Sequence, residues 1–486
     1  MPNRSYGVNA AAGIDRRLGP AVGRAVCTHH RRRLARVGQL GALDAAAGGW
    51  AKGEAPARAD CSLEVLIDGV EALARMVSDL ERAKSRVHLA GWFLSPDFAL
   101  TRGYKPTIVR NLLAELAERV DVRVLLWAGA PLPLFRPSRS TVRRAREDLC
   151  RGTKIRCALD SKERPMHCHH EKTIVVDDQV AFVGGIDLTA ESGDRFDSPS
   201  HPARGQVGWH DACARIAGPA VTDVARHFAM RWHEVTGEAL ATPQTAESAG
   251  KVELQIARTV PERVYRSLPR GDFGILESYV RALRSAQRLI YLENQFLWSP
   301  EISAILADKL RNPPHEDFRL LVVLPAKPNN GGDDTRGVLG ELIEADRDGG
   351  RLLACTLFAR TGRLADPVYV HAKIGVVDDE WLTLGSANLN EHSLFNDTEM
   401  NIVTHDRALA RQTRLRLWAE HLELTVDEVA GDSTQVIDDL WNPISKEQLG
   451  RRQAGRPLTH RLVLLPHLSS RSERLLGPLQ GFLVDG

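Results

Sequence analysis

Two copies of one motif hold the residues of this chain that could carry out chemistry. They are His170, Lys172, Asp177, Gly184, Gly185 and Asp187, and then, each 201 residues later, His371, Lys373, Asp378, Gly385, Ser386 and Asn388. Attack on a phosphodiester needs one histidine as nucleophile, a second as proton donor, and cations around the phosphoryl oxygens. Two matched half-sites supply that set. A single His-x-Lys is a weak signal, but six constrained positions repeated in register leave little room for chance.

The spacing within each motif places the histidine and the lysine on one side of a strand. Side chains alternate faces along a strand, so residues two apart project together. Asp177 and Asp378 lie seven residues after their histidines, so we include them in the catalytic motif but expect them to hold a turn. The glycines let a ligand approach the backbone closely. The polar side chains expected at the phosphate are Asp187, Ser386 and Asn388.

A metal site is the main alternative for residues 166–170, which read Met-His-Cys-His-His. Consecutive strand residues point alternately up and down, so these polar side chains cannot all bind one ion. The ammonium group of Lys172 in the same cavity would also repel a cation. We therefore predict no metal and no other cofactor there, with His167 and His169 as hydrogen-bonding neighbours.

The elements that must position these residues also recur. From 61 to about 237, strands are predicted at 86–93 and 122–127, helices at 70–83 (capped by Asp68) and 107–120, a hairpin at 172–182 and a closing helix at 219–232. About 200 residues later, strands are predicted at 288–296 and 319–324, a hairpin at 373–384 and a helix at 407–418. This pattern indicates a duplication, with repeat 1 over 61–245 and repeat 2 over 246–440.

Composition is that of a globular protein of two or three domains: 486 residues, 43% hydrophobic and 26% charged. A net charge of +2 argues against bulk binding of nucleic acid. There is no apolar run of membrane-spanning length and no signal-peptide pattern, and the seven scattered cysteines indicate reduced thiols. We expect a cytoplasmic protein, with peripheral membrane association left open.

The two ends of the chain differ from its middle. Residues 1–60 are basic and rich in Ala, Gly and Arg, and we predict a poorly ordered extension with room for one short helix. Residues 441–486 begin polar and end with two apolar runs. We expect this tail to pack back on the body of the protein.

The paired motifs resemble the duplicated HxKxxxxD signature of the phospholipase D superfamily. Four more stretches are similar to accessory motifs of its eukaryotic-type, phosphatidylcholine-directed branch: residues 91–96 (GWFLSP), 195–197 (RFD), 209–211 (WHD) and 293–296 (ENQF). Nothing before residue 61 resembles the calcium-binding or phosphoinositide-binding domains common in that branch. The resemblance implies two α/β/α sandwich units related by a pseudo-two-fold axis, with the active site at their interface.

The resemblance also implies a two-step mechanism. His170 attacks phosphorus and forms a phosphohistidine, while His371 protonates the departing alcohol and then activates water or a second alcohol. Lys172, Lys373, Ser386 and Asn388 would bind the non-bridging oxygens, with Asn294 and Gln295 nearby, and no metal would be needed. Each imidazole requires an orienting acid. Asp211 and Glu399 are the candidates, because each follows its own motif and opens a strand.

The function implied is that of a phospholipase D acting on glycerophospholipids such as phosphatidylcholine, by hydrolysis or by transfer to an alcohol. A phospholipid and a membrane surface would be its partners, without nucleic acid or an obligate protein partner. A cardiolipin-synthase-like phosphatidyltransferase, a nuclease of the same superfamily and a non-catalytic lipid-binding scaffold are the alternatives. The aromatic residues near the motifs either line a substrate pocket or belong to the core: Trp92, Phe93, Phe296 and Trp298.

Overall fold

The computed structural model describes residues 23–131, 136–191, 193–195, 200–203, 206–327 and 332–465. The described helices are α1 (residues 23–36), α2 (Asp68–Glu81), α3 (Val109–Ala117), α4 (Arg139–Cys150), α5 (Val221–Thr236), α6 (Gly274–Ser285), α7 (Pro300–Arg311), α8 (Gly332–Asp346), α9 (Arg407–Leu422), α10 (Ser433–Val436) and α11 (Asn442–Gln453). A 3₁₀ turn spans Leu40–Ala42, and π-helical turns span His392–Asn396 and Ile437–Trp441.

The strands of the first half are β1 (Arg58–Ile67), β2 (Arg86–Gly91), β3 (Asp121–Trp127), β4 (Arg156–Asp160), β5 (Thr173–Val176), β6 (Val180–Gly184), β7 (Trp209–His210) and β8 (Ala212–Ala217). Those of the second half are β9 (Val252–Val260), β10 (Asp272–Phe273), β11 (Leu289–Glu293), β12 (Arg319–Val323), β13 (Leu352–Thr361), β14 (Leu364–Pro367), β15 (Tyr369–Val370), β16 (Ile374–Val377), β17 (Trp381–Gly385), β18 (Glu399–Thr404) and β19 (Leu462–Leu464).

The two halves build the same sheet. In the first half the strand order is β4-β3-β2-β5-β6-β8-β1, with β2, β3 and β4 parallel and the other pairs antiparallel. In the second half the equivalent order is β13-β12-β11-β16-β17-β18-β9, with the same directions. Strands β1 and β9 also pair with each other at the edges of the two sheets. The predicted α/β class with a duplicated architecture is confirmed.

Apolar packing holds helices on both faces of each sheet. Helix α2 turns Leu73, Met76, Val77 and Leu80 inward, the spacing that forms one face of a helix. These residues share a core with β2, β3, α3 and α4. Helices α6, α7 and α8 form the matching core on the second sheet. A third core lies between the two repeats and combines residues of β6, β8, β17 and β18 with α5 and α9.

The prediction of a poorly ordered extension is wrong for residues 23–60. Helix α1 packs on the second repeat, where Leu34 is fully buried and the His30 ring stacks on Phe395 with centroids 3.9 Å apart. The Arg33 guanidinium donates to both carboxylate oxygens of Glu262, at 2.8 and 2.7 Å. All these partners lie more than 200 residues away along the chain, so local composition does not reveal them. Residues 1–22 lie outside the described part.

The C-terminal tail packs on the second repeat as far as the structure describes it. Strand β19 adds to β13 in antiparallel register, with Cys355 opposite Leu464. The tail beyond residue 465 lies outside the described residues.

Asp68, at the start of α2, does not cap that helix as predicted. It is the first helical residue, and its carboxylate turns away toward His210 and the backbone N–H of Asp211.

Candidate active site

The two motif strands begin on matching contacts with the opposite repeat. The N–H groups of His170 and Glu171 both donate to the carbonyl of Thr398, each at 2.9 Å. In the same way, the N–H groups of His371 and Ala372 donate to the carbonyl of His210, at 2.8 and 3.1 Å. Each histidine is therefore held by the residue that directly precedes an acid of the other repeat.

Those acids contact the imidazoles across the interface. Nδ1 of His170 lies 3.0 Å from Oε1 of Glu399, and Nδ1 of His371 lies 2.7 Å from Oδ2 of Asp211. Both acids were expected to orient a histidine, but the sequence associates each one with its own motif. The structure crosses them, because β8 and β18 begin where the opposite motif strand arrives. In both rings the acid contacts Nδ1, so Nε2 is the nitrogen on the opposite side of the ring.

The position after the first motif glycine differs between the repeats. A Cβ atom at Gly185 would overlap Oδ1 of Asp211, so only glycine leaves room for that acid. The equivalent residue, Ser386, donates its hydroxyl to Oε2 of Glu399, and Ser393 donates to Oε1 at 2.6 Å. Ser386 was expected to bind phosphate. Its hydroxyl instead positions the acid of the other half-site.

The two lysines reach the interface with different partners. Each donates to the carbonyl of the histidine two residues before it. Nζ of Lys172 also lies 3.2 Å from Oδ2 of Asp187, whereas Nζ of Lys373 donates to Oε1 of Gln295 at 3.2 Å. Asp187 was expected to face the phosphate, but a carboxylate there would repel the phosphate. The ion pair of Asp187 with Lys172 instead fixes the position of the ammonium group.

The predicted amide residues Gln295 and Asn294 have different roles. Gln295 accepts from Lys373 and also from Asn388, at 3.4 Å, and donates to the hydroxyl of Tyr369 at 2.8 Å. It therefore lies within the site. Oδ1 of Asn294 accepts from the N–H groups of Phe296 and Leu389. Asn294 thus fixes the loop that carries Asn388, rather than presenting its oxygen to a substrate.

Burial and charge set the protonation of the site. Burial first, and then the positive charges of Lys373, Lys172 and Arg195, lower the pKa of His371 well below its ordinary value. Burial raises the pKa of Glu399 to about 8, although Lys172 opposes the shift. His371 and both lysines thus share one electrostatic environment, with its imidazole neutral before substrate binds. A neutral imidazole beside two ammonium groups suits attack on, or proton transfer at, an anionic phosphodiester.

The motif aspartates lie outside this site and are not catalytic residues. Asp177 accepts from the N–H groups of Lys84, Ser85 and Arg86 at 2.7 to 3.0 Å. Asp378 accepts equivalently from the N–H groups of residues 287–289. Both carboxylates therefore cap the start of the central strands β2 and β11, in line with the expected structural part.

The histidines of residues 166–170 point to three different places. His170 faces Glu399, whereas Nδ1 of His167 lies 3.0 Å from Nδ1 of His392. Nε2 of His169 lies 3.1 Å from Asp160, whose other oxygen binds Arg231. They do not converge on one ion, in agreement with the alternation argument.

Three residues close to the site were not among the predicted site residues. Trp209 packs against the His371 ring with centroids 4.4 Å apart, and Tyr369 lies beyond it. Ser393, in a π-helical turn, binds Glu399. Trp209 lies in one of the accessory motifs, and this was the available signal; nothing in the sequence marks Ser393. In the neighbouring accessory motif, Arg195 covers the Trp209 ring at 3.3 Å, while Phe196 and Asp197 lie outside the described residues.

The aromatic residues near the motifs belong to the cores. Phe296 and Trp298 are in the core of the second repeat, and Trp92 and Phe93 in that of the first. Trp92 also reaches the site, because its ring meets that of His170 edge-on with centroids 6.4 Å apart. Most of these aromatic side chains therefore pack in the apolar cores of the two repeats.

Two family models match the two halves of the chain. One is described as "Phospholipase D" and matches residues 79–208. The other is described as "Cardiolipin synthase, PLD-like domain" and matches residues 279–419. The chain belongs to the phospholipase D superfamily. The crossed histidine–acid pairs join these two halves of the chain.

Similar proteins within the superfamily carry more than one name. Phospholipase D A of Dictyostelium discoideum is 26% identical over 80% of this chain and 37% of its own length. Phospholipase D alpha 4 of Arabidopsis thaliana is 25% identical over 74% and 64%. The major cardiolipin synthase ClsA of Bacillus subtilis is 25% identical over 73% and 67%. This chain therefore spans roughly one third to two thirds of the length of these relatives.

The fold agrees with a solved structure. Phosphatidylserine synthase of Haemophilus influenzae superposes with a TM-score of 0.50 at 14% identity, over 72% of this chain and 84% of that one. At that identity the likeness concerns the fold alone, and it confirms the predicted fold. Among the described residues, none of the helices combines the length and the apolar character needed to cross a membrane.

Proposed function

We propose that this protein is a phospholipase D that hydrolyses the phosphatidyl group of glycerophospholipids such as phosphatidylcholine, or transfers it to an alcohol. The crossed pairing of His170 with Glu399 and His371 with Asp211 carries the proposal. It brings two oriented imidazoles and two buried ammonium groups to one interface. That set handles a phosphodiester anion without further groups.

The reaction then takes two steps. Nε2 of His170 attacks phosphorus, the bond to the headgroup oxygen breaks, and that oxygen takes the proton from Nε2 of His371. Neutral His371 next removes a proton from water or an alcohol, whose oxygen attacks phosphorus and breaks the phosphorus–nitrogen bond. The products are phosphatidic acid or a new phosphatidyl ester, and both imidazoles return to their first state.

Substrate binding accounts for the proton that His371 must carry in the first step. In the free site the neighbouring ammonium groups and burial hold the pKa of His371 low. A bound phosphodiester anion between Lys172 and Lys373 offsets their positive charge. It thereby favours the imidazolium form when a leaving group is present to receive the proton.

Two exposed apolar side chains support contact with a lipid surface as part of this function. Tyr104 is 98% exposed and Leu364 is 68% exposed. The Tyr104 loop is tied to the segment after the first motif by the Arg102–Asp194 pair, and Leu364 starts the strand before Tyr369 and His371. Exchanging both residues for serine should weaken vesicle binding several-fold and leave turnover of a monomeric short-chain phospholipid unchanged. Val426, 43% exposed, supplies the control exchange.

A phosphatidyltransferase of the cardiolipin synthase kind is the second candidate. The family model over residues 279–419 and relatives such as ClsA favour it. The two candidates share both chemical steps and differ in the phosphatidyl donor and in the acceptor that attacks the intermediate.

A headgroup panel tests both candidates. The full chain is incubated with vesicles of phosphatidylcholine, phosphatidylethanolamine or phosphatidylglycerol, or with a DNA oligomer, with and without an added alcohol. We expect choline release and phosphatidic acid, lost by at least about a thousandfold in His170→Ala and in His371→Ala, and unchanged in His315→Ala at an exposed position. Cardiolipin formation from phosphatidylglycerol alone would favour the transferase, and cleavage of DNA alone would overturn both.

A further inference from the structure

A second cluster of histidines and carboxylates lies behind the second half-site. Its members are Asp68 at the start of α2, His201 in the connection before β7, His210 in β7, and Glu420 in α9. The side chains of Asp68, His201 and His210 are fully buried and that of Glu420 is 5% exposed. Three of these residues come from the first repeat and one from the second.

The donor atoms of these four residues lie close together. Nε2 of His201 is 2.9 Å from Oε1 of Glu420 and 3.6 Å from Oδ2 of Asp68. Nδ1 of His210 is 2.9 Å from Oδ1 of Asp68 and 3.3 Å from Oε1 of Glu420. One donor atom from each residue lies within 4.8 Å of all the others. Four ligands at bond lengths of about 2.0–2.1 Å around Zn²⁺ would be about 3.3 Å apart, which matches these separations.

Of the residues that the structure describes, imidazoles rather than guanidinium or ammonium groups face the carboxylates of this cluster. Asp68, Glu420 and the adjoining Glu293 are buried carboxylates. Within the described part of the chain, their only ion-pair partners are imidazoles. The buried carboxylates behind the first half-site are treated differently, because Asp160 and Glu171 both bind the guanidinium of Arg231. A buried carboxylate needs a cationic or hydrogen-bonding partner, and in this cluster an imidazole or a bound metal ion can supply it.

Two more features point to a ligand. Oδ2 of Asp68 is buried and accepts no hydrogen bond, so a carboxylate oxygen faces the cluster without a donor. Nε2 of His210 lies 2.8 Å from Glu293, which also binds His421 at 2.7 Å. A carboxylate on the far nitrogen of a histidine fixes the tautomer that binds a metal.

We propose that Asp68, His201, His210 and Glu420 bind a divalent cation of the zinc class as a structural centre. Imidazole nitrogens and carboxylate oxygens are both ligands that Zn²⁺ accepts in proteins. The ion touches no reacting atom and takes no part in either chemical step. This inference does not rest on the proposed substrate.

The centre would position the second half-site. The carbonyl of His210 accepts the N–H of His371, and the next residue, Asp211, contacts the imidazole of His371. Asp68 makes two hydrogen bonds to the backbone of Asp211. The N–H of Asp68 donates to the carbonyl of Asp211, and the carboxylate of Asp68 accepts from the N–H of Asp211. An ion held by Asp68 and His210 therefore fixes the strand segment on which His371 and its acid depend.

Metal analysis of the full chain tests this centre. Protein produced with zinc and dialysed against metal-free buffer should retain about one zinc per chain. His201→Ala and Glu420→Gln should each lower the zinc content by about tenfold or more, and Glu293→Gln should weaken zinc binding by roughly 10- to 100-fold. His392→Ala is the matched control, because His392 belongs to another buried His/Asp cluster with His167 and Asp397 and should leave the zinc content unchanged.

A cobalt-loaded wild-type protein keeps the test independent of how the variants fold. Production with cobalt should give the visible absorption bands of a tetrahedral Co²⁺ site. Zinc content far below one per chain together with no such bands would overturn the proposal. So would equal zinc in Glu420→Gln and wild type, or loss of zinc only in His392→Ala. Headgroup release plays no part in these readouts, so this centre and the proposed reaction succeed or fail separately.

Discussion

The two half-sites share a backbone but not a set of side chains. In each, a motif histidine docks on the opposite repeat and meets an acid from it. Asp211 fits only because residue 185 is glycine, whereas the longer Glu399 is held by the hydroxyls of Ser386 and Ser393. Lys172 is paired with a carboxylate, and Lys373 with the neutral amide of Gln295. The two halves thus share a backbone arrangement, but each holds its histidine and its lysine with different side-chain partners.

The largest effect that separates the halves concerns the crossed acids. Asp211→Asn and Glu399→Gln should each lower kcat by roughly 100- to 10,000-fold, because an imidazole without its acid loses its tautomer and orientation. Carbethoxylation followed by peptide mapping identifies the affected ring. Asp211→Asn should change the reaction rate of His371 and leave that of His170 unaltered, and Glu399→Gln should do the reverse. If either substitution instead changed the carbethoxylation rate of the histidine in its own repeat, that result would contradict the crossed arrangement.

Asp177→Asn is the control for these acids. It removes the carboxylate that caps the start of β2, so it should lower the free energy of unfolding by roughly 1–3 kcal/mol. The carbethoxylation rates of both histidines should stay as in the wild type.

The position after the motif glycine should give an unequal pair of effects. Gly185→Ala forces a methyl group into Oδ1 of Asp211, so we expect at least about a hundredfold loss of kcat, comparable to removal of a catalytic contact. Ser386→Ala removes one of two hydroxyl donors to Glu399. The remaining Ser393 should limit the loss to about tenfold, the effect of one hydrogen bond. Equal losses in the two variants would mean that the half-sites hold their acids alike.

The remaining effect is on stability as a function of pH and not on kcat. Burial raises the pKa of Glu399 to about 8 from an ordinary value of 4.5, so between these values the folded state binds a proton that the unfolded state has released. This contribution to stability is complete below about pH 4.5 and is lost as the pH rises through 8. Wild type should lose more unfolding free energy between pH 5 and 9 than Glu399→Gln, by up to about 1.4 kcal/mol per pH unit. The exposed Glu118→Gln should follow wild type in chemical denaturation at each pH.

Much of the fold could be predicted because its signals are local. Alternating and apolar runs give β2, β3 and the two motif hairpins within a few residues, and the repeated motif fixes the duplication. The ends of elements shift where side chains have distant partners. Asp68 has the sequence of a helix cap, yet its carboxylate binds His210, 142 residues away.

The site was predictable in its members and less so in their partners. The spacing of His170 and Lys172 places both at the interface, but nothing local to Asp211 says that it serves the histidine of the other repeat. The structure also gives Ser386, Asp187 and Asn294 partners that the sequence does not mark, namely Glu399, Lys172 and the backbone N–H groups of Phe296 and Leu389. Helix α1 is the extreme case, because the charge of Arg33 suggests exposure to solvent, whereas Glu262, Asn396 and the carbonyl of Phe395 accept its hydrogen bonds and explain its burial.

The central claim, that one histidine from each repeat acts on one phosphoryl group, is tested most directly by trapping the intermediate. Wild type and the two histidine variants are mixed with phosphatidylcholine vesicles, quenched with denaturant and mapped by mass spectrometry. A phosphatidyl adduct should form on His170 in the wild type, persist once formed in His371→Ala, where the base for its hydrolysis is missing, and be absent from His170→Ala. An adduct on neither ring during turnover, or on both rings independently, would contradict the shared site.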